Sequence, residues 1–284
     1  MGNIFDTVII HPILNILVGF YKLFIQIGLP GAFGFAIIAI TLSVRILMHP
    51  FFKQQMATAK KMKDIKPHLD HVQKKHKGDA KKLQAEQMRL YQEAGINPAA
   101  GCVFAVIQIP LFMGLYRTLQ LFLSHGADGK AVQLINEKLY YPFLKIQSLD
   151  PHFFGLNLAI SPSQGHAWGF YLVPLVTGGL QFLQNKVTMG DQAPVAPKKD
   201  ELKEITEDGK KEEKAPSSTA DEFQKAMTTQ MKYVFPVMIG YFSYSLPLGL
   251  SLYWNLFSLF SIIQYYSQHK NNAKSEVKPL KLKS

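Results

Sequence analysis

The stretch "AIIAITLSVRILMHPF", from Ala36 to Phe51, places an arginine inside a long apolar run. A guanidinium stays protonated in proteins, so Arg45 carries its charge wherever the run lies. Similar runs, each about as long as the roughly 20 residues that cross a bilayer core, occupy 31–52, 99–123, 167–190, 227–246 and 248–267. The pattern predicts an all-α integral membrane protein with a five-helix transmembrane core.

The polar segments between these runs differ in basic charge, which predicts how the chain crosses the membrane. Lysine and arginine together number 11 in 53–93, 3 in 124–166, 8 in 186–225 and 5 in 268–284. Segments rich in these residues stay on the cytoplasmic side. We therefore expect a multi-pass protein of the cell (cytoplasmic or inner) membrane, with its N-terminus outside and its C-terminus in the cytoplasm.

Run lengths and charge together predict the order of segments along the chain. They are an extracytoplasmic amphipathic interfacial helix (1–28), TM1 (29–52), a cytoplasmic helical hairpin (53–96), TM2 (97–123), an extracytoplasmic loop (124–166), TM3 (167–190), a disordered cytoplasmic loop (191–226), TM4 (227–246), TM5 (248–267) and a basic cytoplasmic tail (268–284). Disorder in the 191–226 loop is expected from its charged, proline- and serine-rich composition.

The N-terminal apolar stretch, 8–27, is open to two interpretations. Its polar residues Asn15, Gly19, Lys22 and Gln26 are spaced by 4, 3 and 4, which places them on one helical face. One polar stripe on an apolar helix is typical of a helix that lies in the membrane interface. The stretch is also long enough to form a sixth span, and this alternative stays open.

Helix-ending signals divide the cytoplasmic hairpin into two helices. The sequence "KGD" at 77–79 predicts the break between them, and Gly95 is typical of the residue that ends a helix. Asn97 and Pro98 then fit the N-cap and the first turn of TM2. Few apolar residues are available to dock the hairpin, so we expect it to be mobile. We interpret its three histidines as solvated residues rather than metal ligands.

The five predicted spans contain no aspartate or glutamate that could neutralise Arg45 at its own depth. An ionisable residue inside a membrane segment is a functional hypothesis by default. Arg45 therefore either faces lipid and extends its side chain towards water, or faces a hydrated cavity that a negative charge can enter.

Polar residues on the other spans favour the cavity. They form short stripes at helical spacing, although such stripes also occur as ordinary contacts between membrane helices. They are Thr41, Gln108, Thr177, Gln181, Gln184, Ser251, Asn255, Ser258 and Ser261. We expect them to line one polar hollow with Arg45, closed at its outer end where 31–38 and 168–176 pack against each other.

Four motifs follow one another along the chain, namely "VRILMHPF" (44–51), "LYQEAGINPAAGC" (90–102), "IQIPLFMGLYRTL" (107–119) and "LGLSLYWNLFSLFSIIQ" (248–264). In this order they resemble the YidC family of membrane protein insertases, which includes the Oxa and Alb insertases of organelles. The resemblance extends over nearly the whole chain. It implies a groove that is open to the cytoplasm and to lipid, in which Arg45 attracts the acidic or polar segment of a nascent membrane protein.

By the same match, Gln184 and Trp254 line the groove, and Gln108 joins them. The implied partners are nascent membrane proteins and the lipid bilayer, with the ribosome binding the basic hairpin and tail and the Sec translocase as a further partner. No enzymatic activity, catalytic residue, metal or cofactor is expected. The alternative is a secondary transporter of an anionic solute that uses the same polar cavity, although the spans hold no acidic residue for ion coupling and the chain shows no internal repeat.

Overall fold

The computed structural model describes residues 4–76, 79–96, 100–123, 130–165, 168–189 and 230–274. Within these ranges the chain is mainly helical, as the sequence predicts. The helices are α1 (His11–Gln26), α2 (Ala32–Lys75), α3 (Ala80–Glu93), α4 (Ala100–Leu123), α5 (Lys130–Asn136), α6 (Leu172–Met189), α7 (Phe235–Ser245) and α8 (Leu248–Lys274). A π-helical turn precedes α1 and another precedes α7. The predicted loop 191–226 and the last ten residues of the tail lie outside the described ranges.

Helix α2 is one continuous helix of 44 residues, although it contains Pro50 and Pro67. It therefore covers both the predicted first span and the first half of the predicted hairpin, without a break between them. The second half is α3, which begins after Asp79, whose carboxylate accepts a hydrogen bond from the Lys82 backbone N–H at 3.1 Å. Gly95 has a φ of +60°, which is the left-handed conformation expected of a residue that ends a helix.

The two hairpin helices share a small apolar cluster of their own. Ile65, Ala94 and Ile96 are buried in it, and Met62 and Tyr91 pack against them. Lys61 adds a link by donating from Nζ to the Gly95 carbonyl oxygen at 3.2 Å. The hairpin is thus held together by its own contacts, which its polar composition did not suggest.

The main core lies at the opposite end of the helix bundle, where α1, α2, α4 and α8 meet the segment 130–165. Fully buried side chains include Leu14 and Leu17 of α1, Phe33 and Ile37 of α2, and Leu119 of α4. We call this the loop end of the bundle, and the end from which α2 continues into α3 the hairpin end. The loop end is tightly packed.

Two polar residues on α1, Asn15 and Lys22, contact the backbone of the 130–165 segment, whereas Gln26 is exposed. The Asn15 amide donates to the Lys138 carbonyl oxygen at 3.1 Å and accepts from the Tyr140 N–H at 2.7 Å. Lys22 donates from Nζ to the carbonyl oxygen of Lys145 at 3.1 Å. The stripe from which an interfacial helix was predicted therefore binds loop backbone, so it does not distinguish an interfacial helix from a spanning one.

The 130–165 segment also closes over the start of α8. The N–H groups of Leu248 and Gly249 donate to the carbonyl oxygens of Ile160 and Leu158, each at 2.9 Å. A two-residue antiparallel hairpin, His152–Phe153 with Leu156–Asn157, places Phe153 against α2 at Gly34. Backbone pairing and an aromatic side chain together cover the loop end.

The expectation that 31–38 packs against 168–176 stays a prediction. Trp168 is 78% exposed and Leu175 is 70% exposed, whereas Phe170 and Val173 of the same stretch pack against the core cluster that contains Phe33. Helices α1 and α4 and the 130–165 segment also cover the loop end of α2. The sequence could not show this because all of these segments are apolar, and composition does not say which of them is the partner.

Two stretches among the described residues are long and apolar enough to cross a membrane by length and composition. They are Asp6–Gln26 and Ala32–Met62, which contain 18-residue windows with mean hydropathies of 1.9 and 1.8. Large apolar side chains also lie exposed on several helices, as expected where the surrounding medium is lipid. Examples are Ile46 on α2, Leu175 on α6, and Val237 and Tyr241 on α7, each at least 70% exposed.

Candidate functional site

Arg45 is a buried cation held by α8. Its side chain is 7% exposed. Nη2 donates to the carbonyl oxygen of Phe257 and to the hydroxyl of Ser261, and Nη1 donates to Oε1 of Gln264 at 3.4 Å. The guanidinium also stacks on two rings, 3.9 Å from the centroid of Phe257 and 4.5 Å from that of Phe52. Arg45 is thus fixed by neutral acceptors and aromatic faces.

The partners of Arg45 leave its charge uncompensated within the part of the chain that the structure describes. All three hydrogen-bond acceptors are uncharged, and Nε has no acceptor among these residues. A buried charge is stable when it is paired or fully hydrogen-bonded. A guanidinium with neutral partners and an unused donor is therefore prepared to bind an anion.

A cavity of about 850 Å³ opens beside Arg45, between α2 and α8 at the hairpin end. Arg45, His49 and Lys53 place three basic groups on its α2 wall. Apolar side chains form much of the remaining surface, among them Ile46 and Ile263. The lining residues include no aspartate or glutamate. The cavity thus combines basic and apolar surface, which suits an anionic group attached to an apolar segment.

A second polar cluster connects α6 with α8. The Trp254 indole N–H donates to Oε1 of Gln181 at 2.6 Å, and the Ser258 hydroxyl lies 3.5 Å from the same oxygen. The amide nitrogen of Gln181 donates in turn to Oδ1 of Asn185 at 3.0 Å. This closed network satisfies its members with one another, and its residues do not line the cavity beside Arg45.

The predicted site residues therefore fall into separate places rather than one hollow. Arg45 lines the cavity, whereas Gln181, Trp254 and Ser258 form the α6–α8 cluster. Thr41 is fully buried and donates to the Ile37 carbonyl oxygen at 2.6 Å, one turn back in its own helix.

The remaining predicted residues that the structure describes neither line the cavity beside Arg45 nor form hydrogen bonds in the α6–α8 cluster. Gln184 and Asn255 are half-buried, and the amide oxygen of each is buried with no hydrogen-bond partner in the described part of the chain. The hydroxyl of Ser251, also on α8, is a further buried polar group without a hydrogen-bond partner among the described residues. The Gln108 side chain lies outside the described residues.

Arg45 was the one lining residue of the cavity predicted from the sequence, and the polar residues His49, Lys53 and Gln264 were among those that were not. A signal for the first two was present, because Arg45, His49 and Lys53 are four residues apart and so share one face of α2. The position of His49 at the end of an apolar run had suggested a boundary residue. Gln264 carried no local signal, since its importance depends on how α8 crosses α2.

Comparison with known proteins places the chain among membrane proteins. A family model described as "60Kd inner membrane protein" matches residues 24–275. The membrane protein insertase YidC of Oceanobacillus iheyensis is 28% identical over 266 residues, which are 92% of this chain and 82% of that protein. The insertase YidC of Fusobacterium nucleatum is 28% identical over 243 residues, 86% of this chain and 89% of that protein.

A chloroplast protein shows the same relationship over less of its own length. The inner membrane protein ALBINO3 of Arabidopsis thaliana is 31% identical over 228 residues, which are 80% of this chain but 44% of that protein. These matches confirm the resemblance to YidC and Alb insertases drawn from the four motifs. The family match covers the residues that build both the Arg45 cavity and the α6–α8 cluster, and the chain belongs to the 60Kd inner membrane protein family.

Proposed function

We propose that this chain is a membrane protein insertase that accepts a hydrophilic segment of a nascent membrane protein in the cavity beside Arg45 and releases the adjoining apolar helix into lipid. Its relatives in bacteria are named membrane protein insertases, and none of the relatives described above carries the name of an enzymatic activity. The observation that carries the proposal is the buried, uncompensated guanidinium of Arg45 in a cavity with apolar walls.

The electrostatic contribution of Arg45 has a useful size. Two opposite charges about 4 Å apart attract by about 4 kcal/mol at an effective dielectric constant near 20. That energy offsets part of the cost of removing an acidic side chain from water. Because the three acceptors on Arg45 are neutral, an incoming carboxylate exchanges for them without breaking an ion pair.

The packing of the loop end supports a groove that is blind on that side. Buried side chains of α1, α2 and α4 and the backbone bonds between the 130–165 segment and α8 close the loop end. The cavity is lined by residues 42–57 in the middle of α2, on the hairpin side of the loop end. With the hairpin end in the cytoplasm, as the basic residues predict, a hydrophilic segment enters from the cytoplasm and crosses a shortened apolar path.

The same orientation identifies the partners that we propose. Nascent membrane proteins are the substrates, and lipid receives their helices. The basic hairpin and tail suit the ribosome, whose RNA attracts lysine and arginine, and the Sec translocase is a further partner. The α6–α8 cluster, with Gln184, Asn255 and Gln108 as its proposed companions, forms the wall along which the apolar part of the substrate passes.

Site-specific crosslinking tests the insertase against the alternative, a secondary transporter of an anionic solute. A photoreactive residue is placed at Ile46, which lines the cavity, and at Leu175, an exposed apolar residue of α6 that does not. Inverted vesicles receive a ribosome-stalled single-span protein with an acidic tail. Crosslinks from position 46 and none from position 175 support the insertase. Absence of crosslinks from position 46, together with uptake of a small anion, supports the transporter.

Charge variants of Arg45 test the role of the guanidinium directly. Arg45→Lys keeps the charge and retains much of the insertion of the acidic-tail substrate, whereas Arg45→Ala loses at least about tenfold, since tenfold corresponds to about 1.4 kcal/mol. A matched substrate with a neutral tail is inserted equally by all variants. Equal insertion of the acidic tail by wild type and Arg45→Ala would remove the basis of the mechanism.

A further inference from the structure

The amide of Gln264 lies between two of the basic groups of the cavity. Its Oε1 accepts from Arg45 Nη1 at 3.4 Å, and its Nε2 lies 3.1 Å from Nδ1 of His49. A carboxamide has the shape of a carboxylate without its charge. The 3.4 Å contact is long for a charge-assisted hydrogen bond, and Nε of Arg45 has no acceptor among the described residues. A carboxylate in this place would accept from Nη1 and add the negative charge that the amide oxygen lacks.

We propose that the carboxamide of Gln264 holds the place of a substrate carboxylate, and that the cavity binds two acidic side chains about one helical turn apart. This inference rests on the proposed insertase function and names the substrate feature that the site recognises. The first carboxylate displaces Gln264 from Arg45. The second lies between His49 and Lys53.

Helix geometry sets the spacing of the two acidic groups. Arg45, His49 and Lys53 succeed one another every four residues, so their Cα atoms rise by about 6 Å per step along α2. Two carboxylates match this interval when they are four residues apart in a helix, or two residues apart in an extended chain. Nδ1 of His49 faces the Gln264 amide, so His49 bonds one carboxylate at most, through Nε2. Lys53, at the open end of the cavity, supplies the second full charge.

The apolar wall indicates which part of the substrate lies beside the acidic pair. Leu42, Ile46 and Ile263 line the same cavity, and Ile46 is 74% exposed. A segment that carries two acidic residues next to the beginning of an apolar helix therefore matches both surfaces. An anionic phospholipid has the same charge sign but does not present two carboxylates at a fixed interval, so spacing separates the two ligands.

The first test measures peptide binding to the full-length protein in phosphatidylcholine nanodiscs by fluorescence anisotropy. Three peptides share one apolar stretch and carry two aspartates four residues apart, one aspartate, or two asparagines. Wild type binds the paired peptide at least about tenfold more tightly than the single-aspartate peptide. Equal affinity for the two peptides would overturn the paired site. If the difference in affinity between the paired and single-aspartate peptides disappears when phosphatidylglycerol is added, the cavity binds lipid, and the paired site is also overturned.

The second test replaces Gln264 itself. Gln264→Glu supplies an internal carboxylate of nearly the same shape, so paired-peptide affinity falls at least about tenfold, whereas Gln264→Ala binds as tightly as wild type or more tightly. Gln54→Glu adds the same charge at an exposed position of α2 that does not line the cavity, and leaves affinity unchanged. Wild-type affinity in Gln264→Glu, or a loss in Gln54→Glu as large as in Gln264→Glu, would refute the placeholder role. Equal melting temperatures of the variants exclude misfolding as the cause.

The third test separates the two acidic positions. Lys53→Ala removes much of the advantage of the second aspartate, whereas Lys75→Ala, at the far end of α2, does not.

Failure of this inference is distinguishable from failure of the insertase proposal. If Gln264→Glu inserts acidic-tail proteins normally while position 46 still crosslinks to them, the placeholder is wrong and the insertase stands. If wild type gives no such crosslinks, the insertase proposal itself has failed.

Discussion

Helices α6 and α7 approach each other at a pair of glycines, and this contact gives a sharp stability prediction. A Cβ atom added at Gly178 would lie 3.3 Å from the carbonyl oxygen of Pro236 and 3.5 Å from the Cα of Gly240. A Cβ added at Gly240 would lie 3.1 Å from the carbonyl oxygen of Pro174. Small residues allow this close approach of backbones in membrane helices. Both neighbours are backbone, which cannot rotate away as a side chain would.

The next residue in the chain provides a matched control. A Cβ at Gly179 meets no atom within 4 Å. Both glycine-to-alanine changes gain about 1 kcal/mol of helix propensity, while Gly178→Ala alone incurs the overpacking cost of about 1–3 kcal/mol. The free energy of unfolding of Gly178→Ala should therefore lie about 1–3 kcal/mol below that of Gly179→Ala. The double variant Gly178→Ala/Gly240→Ala should lose more free energy of unfolding than the two single variants lose in sum, because the two methyl groups occupy the same gap.

Thermal unfolding of the purified proteins in detergent, followed by far-ultraviolet circular dichroism, measures this difference. One kcal/mol corresponds to about 2–4 °C in Tm for chains of 150–250 residues, so we expect Gly179→Ala to melt at least a few degrees above Gly178→Ala. Trp254 fluorescence should also change in Gly178→Ala, because a displaced α6 moves Gln181 away from the indole N–H. Equal Tm values for the two variants would refute the contact between α6 and α7.

Two further predictions concern the hairpin. Ile65 is 1% exposed in the small apolar cluster, so Ile65→Ala should lower the stability of the hairpin by about 2–5 kcal/mol. Hydrogen exchange should become faster in α3 and stay unchanged in α7. Unaltered exchange in α3 would show that the cluster does not hold the hairpin. The Lys82 backbone N–H holds the pKa of Asp79 below its ordinary value of 3.8, so this cap stabilises α3 above that pH and is lost as the pH falls through the lowered pKa. The protection factors of the first turn of α3, which are corrected for the pH dependence of intrinsic exchange, should fall below about pH 4 in wild type but not in Asp79→Asn, which caps without titrating.

The sequence alone determined the features that depend on local composition and spacing. Apolar run length and the clustering of lysines indicated a helical membrane protein. The "KGD" break and Gly95 indicated where the hairpin helices end, because turn and cap residues act through their own backbone. Arg45 was identifiable since its span contains no acid, and the four motifs were sufficient to indicate the family.

Only the tertiary structure determined which residues contact each other. The acceptors of Arg45 come from α8, more than 200 positions along the chain, and no local pattern specifies how α8 crosses α2. Periodicity showed that Gln181, Trp254 and Ser258 lie on polar helix faces, but it could not show that these faces turn towards each other and away from the Arg45 cavity. The polar stripe of α1 was likewise visible in the sequence, while its partner, the backbone of the 130–165 segment, was not. Helical spacing fixes which side chains share a face, and only the crossing of helices determines what that face meets.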